Sequence, residues 1–335
     1  MGAVGKKRKL SSTELGALWM TFQKKTMILR ILEYFIETAE DKKAKKIMEG
    51  LWKGLYPKVE EIKQFFQEEG AAVPIGFTSS DVNLHAPKLY DNGFDIMLCR
   101  ILKEISMGLY TLHLTMAYRE DVIKLYRELS VLTQNYYEQF TNYLMEEDML
   151  SAPNFINMPK TADYITDKAY LKGTNILGQK RKLNTIEYGY IYHGIETNIV
   201  GMQMITGFAQ CAKNPDVKKY FLKGKDLSKS ILSEMGNILI NDDIYAPATP
   251  GGNITSSTES PFSDKLMMFC TYLMCNFSLG GQSFGAGFSL RNDVNLQLAL
   301  LAKDVYAYTR EGVIVMIDHG WLEEPPGMNR DQLSK

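Results

Sequence analysis

The sequence predicts an all-α chain built as a tandem duplication of two four-helix bundles. Three observations lead there: an internal repeat, apolar residues at helical spacing in both copies, and alternation of short and long links between the helices.

The repeat organises the rest. Gly5-Lys6-Lys7-Arg8-Lys9-Leu10 aligns with Gly178-Gln179-Lys180-Arg181-Lys182-Leu183, an offset of 173 that runs without a gap for roughly seventy positions. On it fall Glu14 with Glu187, Phe35 with Phe208 and Pro74 with Pro247. With the register slipped by one, Arg119-Glu120-Asp121-Val122 matches Arg291-Asn292-Asp293-Val294, and Leu150-Ser151-Ala152-Pro153 matches Leu322-Glu323-Glu324-Pro325. Solenoid repeats have periods of roughly 20 to 50 residues, so these copies are whole domains. The expected division is a bundle over 1–158, a linker over 159–182 and a second bundle over 183–335.

In the first copy Leu15, Leu18, Phe22, Leu29, Leu32 and Ile36 recur at steps of three and four, broken where Lys25 takes an apolar position. Ser11-x-x-Glu14 signs the start of this first helix as a capping box, and Asn184-x-x-Glu187 repeats the device. A second helix follows over 41–69 and, in the second copy, from Pro215 to near Asn241, with a kink expected at Pro57. The third is expected to begin near Pro87 or Pro261 and to end before Arg119 or Arg291. The fourth should reach Met149 or Trp321, stopped by Pro153 or by Pro325-Pro326.

The first-to-second and third-to-fourth links are a few residues long, which makes antiparallel neighbours. The second-to-third links, 70–86 and 243–260, are long and rich in Pro, Gly, Ser and Thr. A helix of about 28 residues spans ~42 Å and about 17 extended residues reach over ~50 Å, so such a link can cross the whole bundle. One long crossover per four-helix bundle is the ferritin-like arrangement.

Composition narrows the function classes. With 38 Lys+Arg against 39 Asp+Glu, bulk charge offers nothing to a nucleic acid, and the runs Lys6 to Lys9 and Lys180 to Lys182 read as a shared structural feature ahead of each first helix. Cys99, Cys211, Cys270 and Cys275 contain no Cys-x-x-Cys pair and suit a reducing compartment. Polar Ser11, Ser12, Thr13 and Glu14 follow the N-terminal basic run where a secretion signal needs an apolar stretch, so export is not expected. Residues 266–290 carry no charge, but the equivalent 94–118 holds Asp95, Arg100, Lys103, Glu104 and His113, so both read as bundle helices rather than membrane spans.

Several strings carry a family resemblance: Gly207-Phe208-Ala209-Gln210-Cys211-Ala212-Lys213, Val217-Lys218-Lys219-Tyr220-Phe221, Ser260-Pro261-Phe262-Ser263-Asp264-Lys265-Leu266 and Gly320-Trp321-Leu322-Glu323-Glu324-Pro325-Pro326. With Leu15-Gly16-Ala17-Leu18-Trp19, Pro74-Ile75-Gly76-Phe77-Thr78 and Asp81-Val82-Asn83 in the first copy, the chain resembles an uncharacterised tandem ferritin-like family of endospore-forming bacteria. The resemblance implies two ferritin-like bundles, no established activity and an association with spore coat proteins. The chain departs from that family at Gly251-Gly252, where the resemblance implies a Trp-Asp pair.

Bundles that hold two metal ions use Glu-x-x-His on two helices. Here His85, His113, His193 and His319 are preceded three residues earlier by Val82, Tyr110, Tyr190 and Met316, which argues against a di-iron oxidase and for no resident cofactor. A weaker metal set can be assembled from helix levels. His193 should lie level with Glu234, Glu196 one turn along, and Asp304 near Glu196, a His and carboxylate group suited to Zn, Mn or Fe. The first copy has Met20 in place of His193 and cannot repeat it. Gly280, Gly281, Gly285 and Gly287 lack G-x-G-x-x-G spacing and are expected at close helix contacts. Tyr136, Tyr137 and Tyr143 are expected in the core or an interface.

The sequence therefore reads as a non-catalytic structural or interaction protein of spore-forming bacteria, cytoplasmic and spore-associated. Partners are expected to be proteins or further copies of the chain. The alternative from a different class is a metal-binding ferritin-like protein or oxidase with its site in the second bundle.

Overall fold

The computed structural model describes residues 8–173, 181–247 and 251–328. Among them are eight α-helices: α1 Ser12–Thr38, α2 Lys42–Glu68, α3 Phe94–Thr115, α4 Glu120–Glu146, α5 Thr185–Cys211, α6 Pro215–Ile240, α7 Asp264–Phe288 and α8 Asn292–Asp318. Two short strands, β1 Tyr90–Asp91 and β2 Asn253–Ile254, and two 3-10 turns, Ser79–Asp81 and Lys168–Lys172, complete the regular elements among the described residues. The helices pack in rings: α1 on α2, α2 on α4, α4 on α3 and α3 on α1, then α5, α6, α8 and α7 in the same order.

Both expected capping boxes are present, and each does more than cap. Glu14 Oε2 accepts from Ser11 N at 2.8 Å, while its Oε1 accepts from the backbone N–H of Tyr118 and Arg119 at 2.8 and 2.7 Å. Glu187 repeats this with Asn184 N at 3.0 Å and with Leu290 and Arg291 N at 3.0 and 2.8 Å. One carboxylate thus joins the N-terminal ends of α1 and α4, and another those of α5 and α8, so the first and fourth helices of each half start at the same end and run parallel. Short links make antiparallel pairs of first with second and third with fourth. Second and third must then also run parallel, which obliges the chain between them to traverse the bundle.

The arginine following each glutamate-bound amide completes the cluster. Arg291, 1% exposed, donates to both oxygens of Asp242 at 3.0 and 2.8 Å and to the Arg181 carbonyl at 2.9 Å. Arg119 donates likewise to Glu69 at 2.5 Å and to the Arg8 carbonyl at 3.3 Å. The basic runs expected to share a structural role meet here through Arg8 and Arg181; Lys6, Lys7 and Lys180 lie outside the described residues.

Two boundaries differ from expectation. The third helices begin at Phe94 and Asp264, later than Pro87 and Pro261. Before α3 the chain is committed to β1 and then to the left-handed turn Asn92-Gly93 (φ 53° and 77°). The fourth helices stop at Glu146 and Asp318 rather than at Met149 and Trp321, because Asp148 and Gly320 turn left-handed (φ 53° and 66°). Met149 N then bonds Leu144 O and Trp321 N bonds Met316 O, both at 2.8 Å, closing each helix before any proline acts. Helix α2 runs through Pro57 without interruption.

The two long crossovers run antiparallel to each other in a single register. Val82 bridges Phe262, Thr255 N bonds Leu89 O at 3.0 Å, Tyr90 pairs with Ile254, and Gly252 N bonds Asn92 O at 2.7 Å. Each crossover also plants an aromatic ring in the opposite half. Phe262 packs edge-on against Tyr34 and Phe35, and Tyr90 donates its hydroxyl to Met204 O at 2.5 Å. A Cβ on Gly207 would lie 2.5 Å from the Tyr90 ring, so that approach requires glycine. Gly252, at φ +84°, is likewise tight against Gln203, which donates to its carbonyl at 2.9 Å. One apolar cluster therefore contains Phe35 and Phe77 together with Phe208 and Phe269.

The glutamate clusters predict unequal costs. Burial raises the Glu187 carboxyl, but the Arg181 side chain and the backbone N–H groups of Asn184 and Arg291 outweigh it and hold the group below its usual value of 4.5. Glu187→Gln, which strands Arg181 in a part-buried site, should cost about 3 kcal/mol in urea unfolding at neutral pH. Glu14→Gln, with no arginine on the carboxylate, should cost about 1.5 kcal/mol. A carboxyl held low stabilises above its unfolded value and loses that contribution as pH falls through the folded one, so both differences should vanish on acidification. Equal costs, or costs independent of pH, would contradict this account.

Candidate functional site

The sequence-predicted metal residues are dispersed. His193 and Glu196, one turn apart on α5, both reach α3 of the other half, while the His193 ring also packs edge-on against Phe277 of α7. His193 Nε2 meets Glu104 Oε1, and Glu196 Oε1 accepts from Arg100 Nη1 at 2.9 Å. Arg100 also donates to Tyr137 OH at 2.9 Å and Thr141 Oγ1 at 3.1 Å, both on α4 of its own half. Glu234 instead turns towards α8, accepting from Gln297 and from Ser230 at 3.0 Å, and Asp304 is exposed on α8. The levelling of His193 with Glu234 does not bring them together, because the two side chains leave their helices in different directions. Among the described residues no group of three or more His, Cys, Asp or Glu is arranged to hold a metal ion.

This ion cluster is the polar contact between α3 and α5. Burial disfavours the imidazolium of His193, yet the hydrogen bond and charge of Glu104, with the charge of Glu196, raise its pKa above 6.5. Burial likewise raises Glu196, against the opposing pull of Arg100. Its partners on α3 were visible in the sequence only as charges in an otherwise apolar helix.

A second polar centre lies inside the first ring of helices, and sequence reasoning missed it. Lys24, Lys25 and Lys103 are 1%, 0% and 0% exposed, and the Nζ of each has no hydrogen-bond partner. Lys24 Nζ stands 4.0 Å and Lys25 Nζ 4.7 Å from the centroid of the Tyr110 ring, whose own buried hydroxyl is also unpaired. Burial drives the Lys24 and Lys25 amines well below the usual lysine value, with Lys103 adding its repulsion. Lys103 is pushed down to about 8 by burial. Beside them His113, bonded to Thr21 Oγ1 at 3.2 Å, is pushed down to about 4 by burial and by Lys24. The available signal was Lys25 interrupting the apolar stripe of the first helix.

The second ring of helices has a different interior. At the positions one repeat beyond Lys24, Lys25 and Lys103 stand Thr197, Asn198 and Cys275, and these line a cavity of about 60 Å³ bounded by Met204, Ile205 and Tyr308. Of the four α7 glycines, Gly285 makes the expected close contact: a Cβ there would lie 3.0 Å from Leu298. Gly280, Gly281 and Gly287 have open space beside them, and Gly281 lines a small pocket with His193, Met235 and Leu298. No helix among the described residues is long and apolar enough to cross a membrane.

A family model described as "Protein of unknown function (DUF3231)" matches the chain twice, over residues 1–161 and 171–333. Among solved structures, a "putative spore coat protein" from Bacillus halodurans C-125 is similar at 16% identity over 44% of this chain and 97% of that one, with a TM-score of 0.42. No curated protein matches the chain.

The inter-half ion cluster predicts a pH signature. A histidine whose folded pKa is raised stabilises fully below its unfolded value of 6.5 and loses that contribution as pH rises through the folded one. With the imidazole side chain 39% exposed, the effect is screened and should be about 0.5 kcal/mol. Thermal melts should show His193→Gln less stable than the parent at pH about 5.5 and equal to it near pH 9. A difference of the same size at both would remove the ion pair from the explanation.

Proposed function

From the premise that the chain belongs to the DUF3231 family, we propose that it is a non-catalytic interaction protein of spore-forming bacteria that assembles with further copies of itself. In this reading residues 1–158 and 183–335 are ferritin-like bundles in tandem, joined by 159–182. The double family match, the repeated glutamate–arginine clusters and the crossover in each half support it. The bacterial setting and spore association rest on the sequence resemblance.

The observation that carries self-assembly is the outer face of α8. Leu296, Leu300, Lys303, Ala307, Arg310, Ile314 and Ile317 follow one another at steps of four and three, the spacing of a helix seam, and all are exposed. Leu296, Leu300, Ile314 and Ile317 are 60%, 46%, 54% and 59% exposed, an apolar stripe uncovered among the described residues. The same positions on α4 hold Lys124, Glu128, Val131, Asn135, Glu138, Asn142 and Met145, so three of the four apolar positions of the stripe, Leu296, Leu300 and Ile314, are polar there and the stripe is not a requirement of the architecture.

Its charges complement themselves. Antiparallel pairing with a second α8 about a two-fold axis at Ala307 sets Leu300 opposite Ile314, Lys303 opposite Glu311 and Asp304 opposite Arg310. A two-fold interface presents the same patch twice, which this arrangement satisfies. A metal-binding reading through His193, Glu196, Glu234 and Asp304 has no observation in its favour over this one.

Sedimentation equilibrium tests the proposal. The parent should be dimeric at micromolar concentration and Leu300→Asp monomeric. Lys303→Glu should weaken association about tenfold, and adding Glu311→Lys should restore it. A parent that stays monomeric at high concentration, or a double variant no tighter than the single, would sink the α8 pairing.

A further inference from the structure

We infer that the centre of the first helical ring binds a small oxyanion, a phosphate or a carboxylate, held by Lys24, Lys25 and Lys103 with the Tyr110 hydroxyl.

Four donors are involved, three amines and a phenol, all buried and all without a hydrogen-bond partner. They belong to one place: Lys24 and Lys25 reach the same Tyr110 ring from α1, and Lys103 lies two turns before Tyr110 on α3 and acts electrostatically on both. Unpaired donors in a dry interior are costly, and a buried ammonium without a counter-charge costs most. The ring face of Tyr110 offsets part of that cost for two of the amines. The groups acting on the three lysines are each other and the Cys99 thiol, so among the described residues no carboxylate supplies the missing charge.

The fold does not demand these lysines. On the tandem reading proposed above, the equivalent Thr197, Asn198 and Cys275 build the same level of the second ring without any amine, and among the described residues no lysine of that half is buried. A set that is rich in donors, poor in acceptors and positive when protonated selects against metal cations and for oxyanions, whose oxygens supply acceptors and charge together.

The test is thermal denaturation of the full chain, dialysed free of oxyanions, with inorganic phosphate, acetate or octanoate added and potassium chloride as the ionic-strength control. Binding should raise the melting temperature saturably, by about 5 °C, and show one-to-one stoichiometry by calorimetry. A response to phosphate alone identifies a phosphate site; a response to acetate or octanoate alone identifies a carboxylate site. Lys103→Met and Lys25→Met should fold, melt higher than the parent without ligand, and lose the response. Leu300→Asp should keep it, which separates this inference from the α8 pairing. No response beyond the chloride control with any of the three probes, or an unchanged response in both lysine variants, would overturn it.

Discussion

The architecture depends on one buried carboxylate per half. A helix begins with backbone N–H groups that have no partner along the helix, and two helix starts brought together make that deficit worse. Glu14 and Glu187 answer it with a single negative charge shared between two helix beginnings. The sharing fixes which ends meet. Parallel first and fourth helices follow from it, then parallel second and third helices, and then the length of the crossovers.

Much of this was legible because it is local. The capping boxes, the helical spacing and the short links each span a few residues and announce themselves in order. The crossover pairing was not legible: Val82 meets Phe262 and Tyr90 meets Ile254 across more than a hundred and sixty residues, and their sequences carry no strand signal of useful length. Separation of about ninety residues likewise hid Arg100 and Glu104 from His193 and Glu196, since helix levels within one copy cannot place residues of the other. Helix ends were missed where a left-handed residue did the work that a nearby proline was expected to do, as at Asp148 and Gly320.

The two halves share a frame and differ in what they enclose. Lysine side chains occupy the first interior where the second leaves a small apolar cavity between Thr197, Asn198 and Cys275. On the outside they differ as well, with Lys124, Glu128 and Asn142 on α4 where α8 carries Leu296, Leu300 and Ile314. A repeated frame with divergent filling lets one half change its interior or its surface while the other retains the shared packing, because the glutamate–arginine clusters hold each end independently of both.

The clasp between the crossovers makes the chain's connectivity nearly incidental to its cohesion. Each half lends an aromatic ring to the other, and the pairing reads the same from either side, so the larger apolar cluster belongs to neither half alone, while a smaller one lies wholly within α5, α6 and α8. A protease that cut the connecting segment near Asn154 to Asp167 would therefore release no domain. It would leave two polypeptides held by the crossover pairing and the shared apolar cluster, an association that depends on concentration once the covalent link is gone.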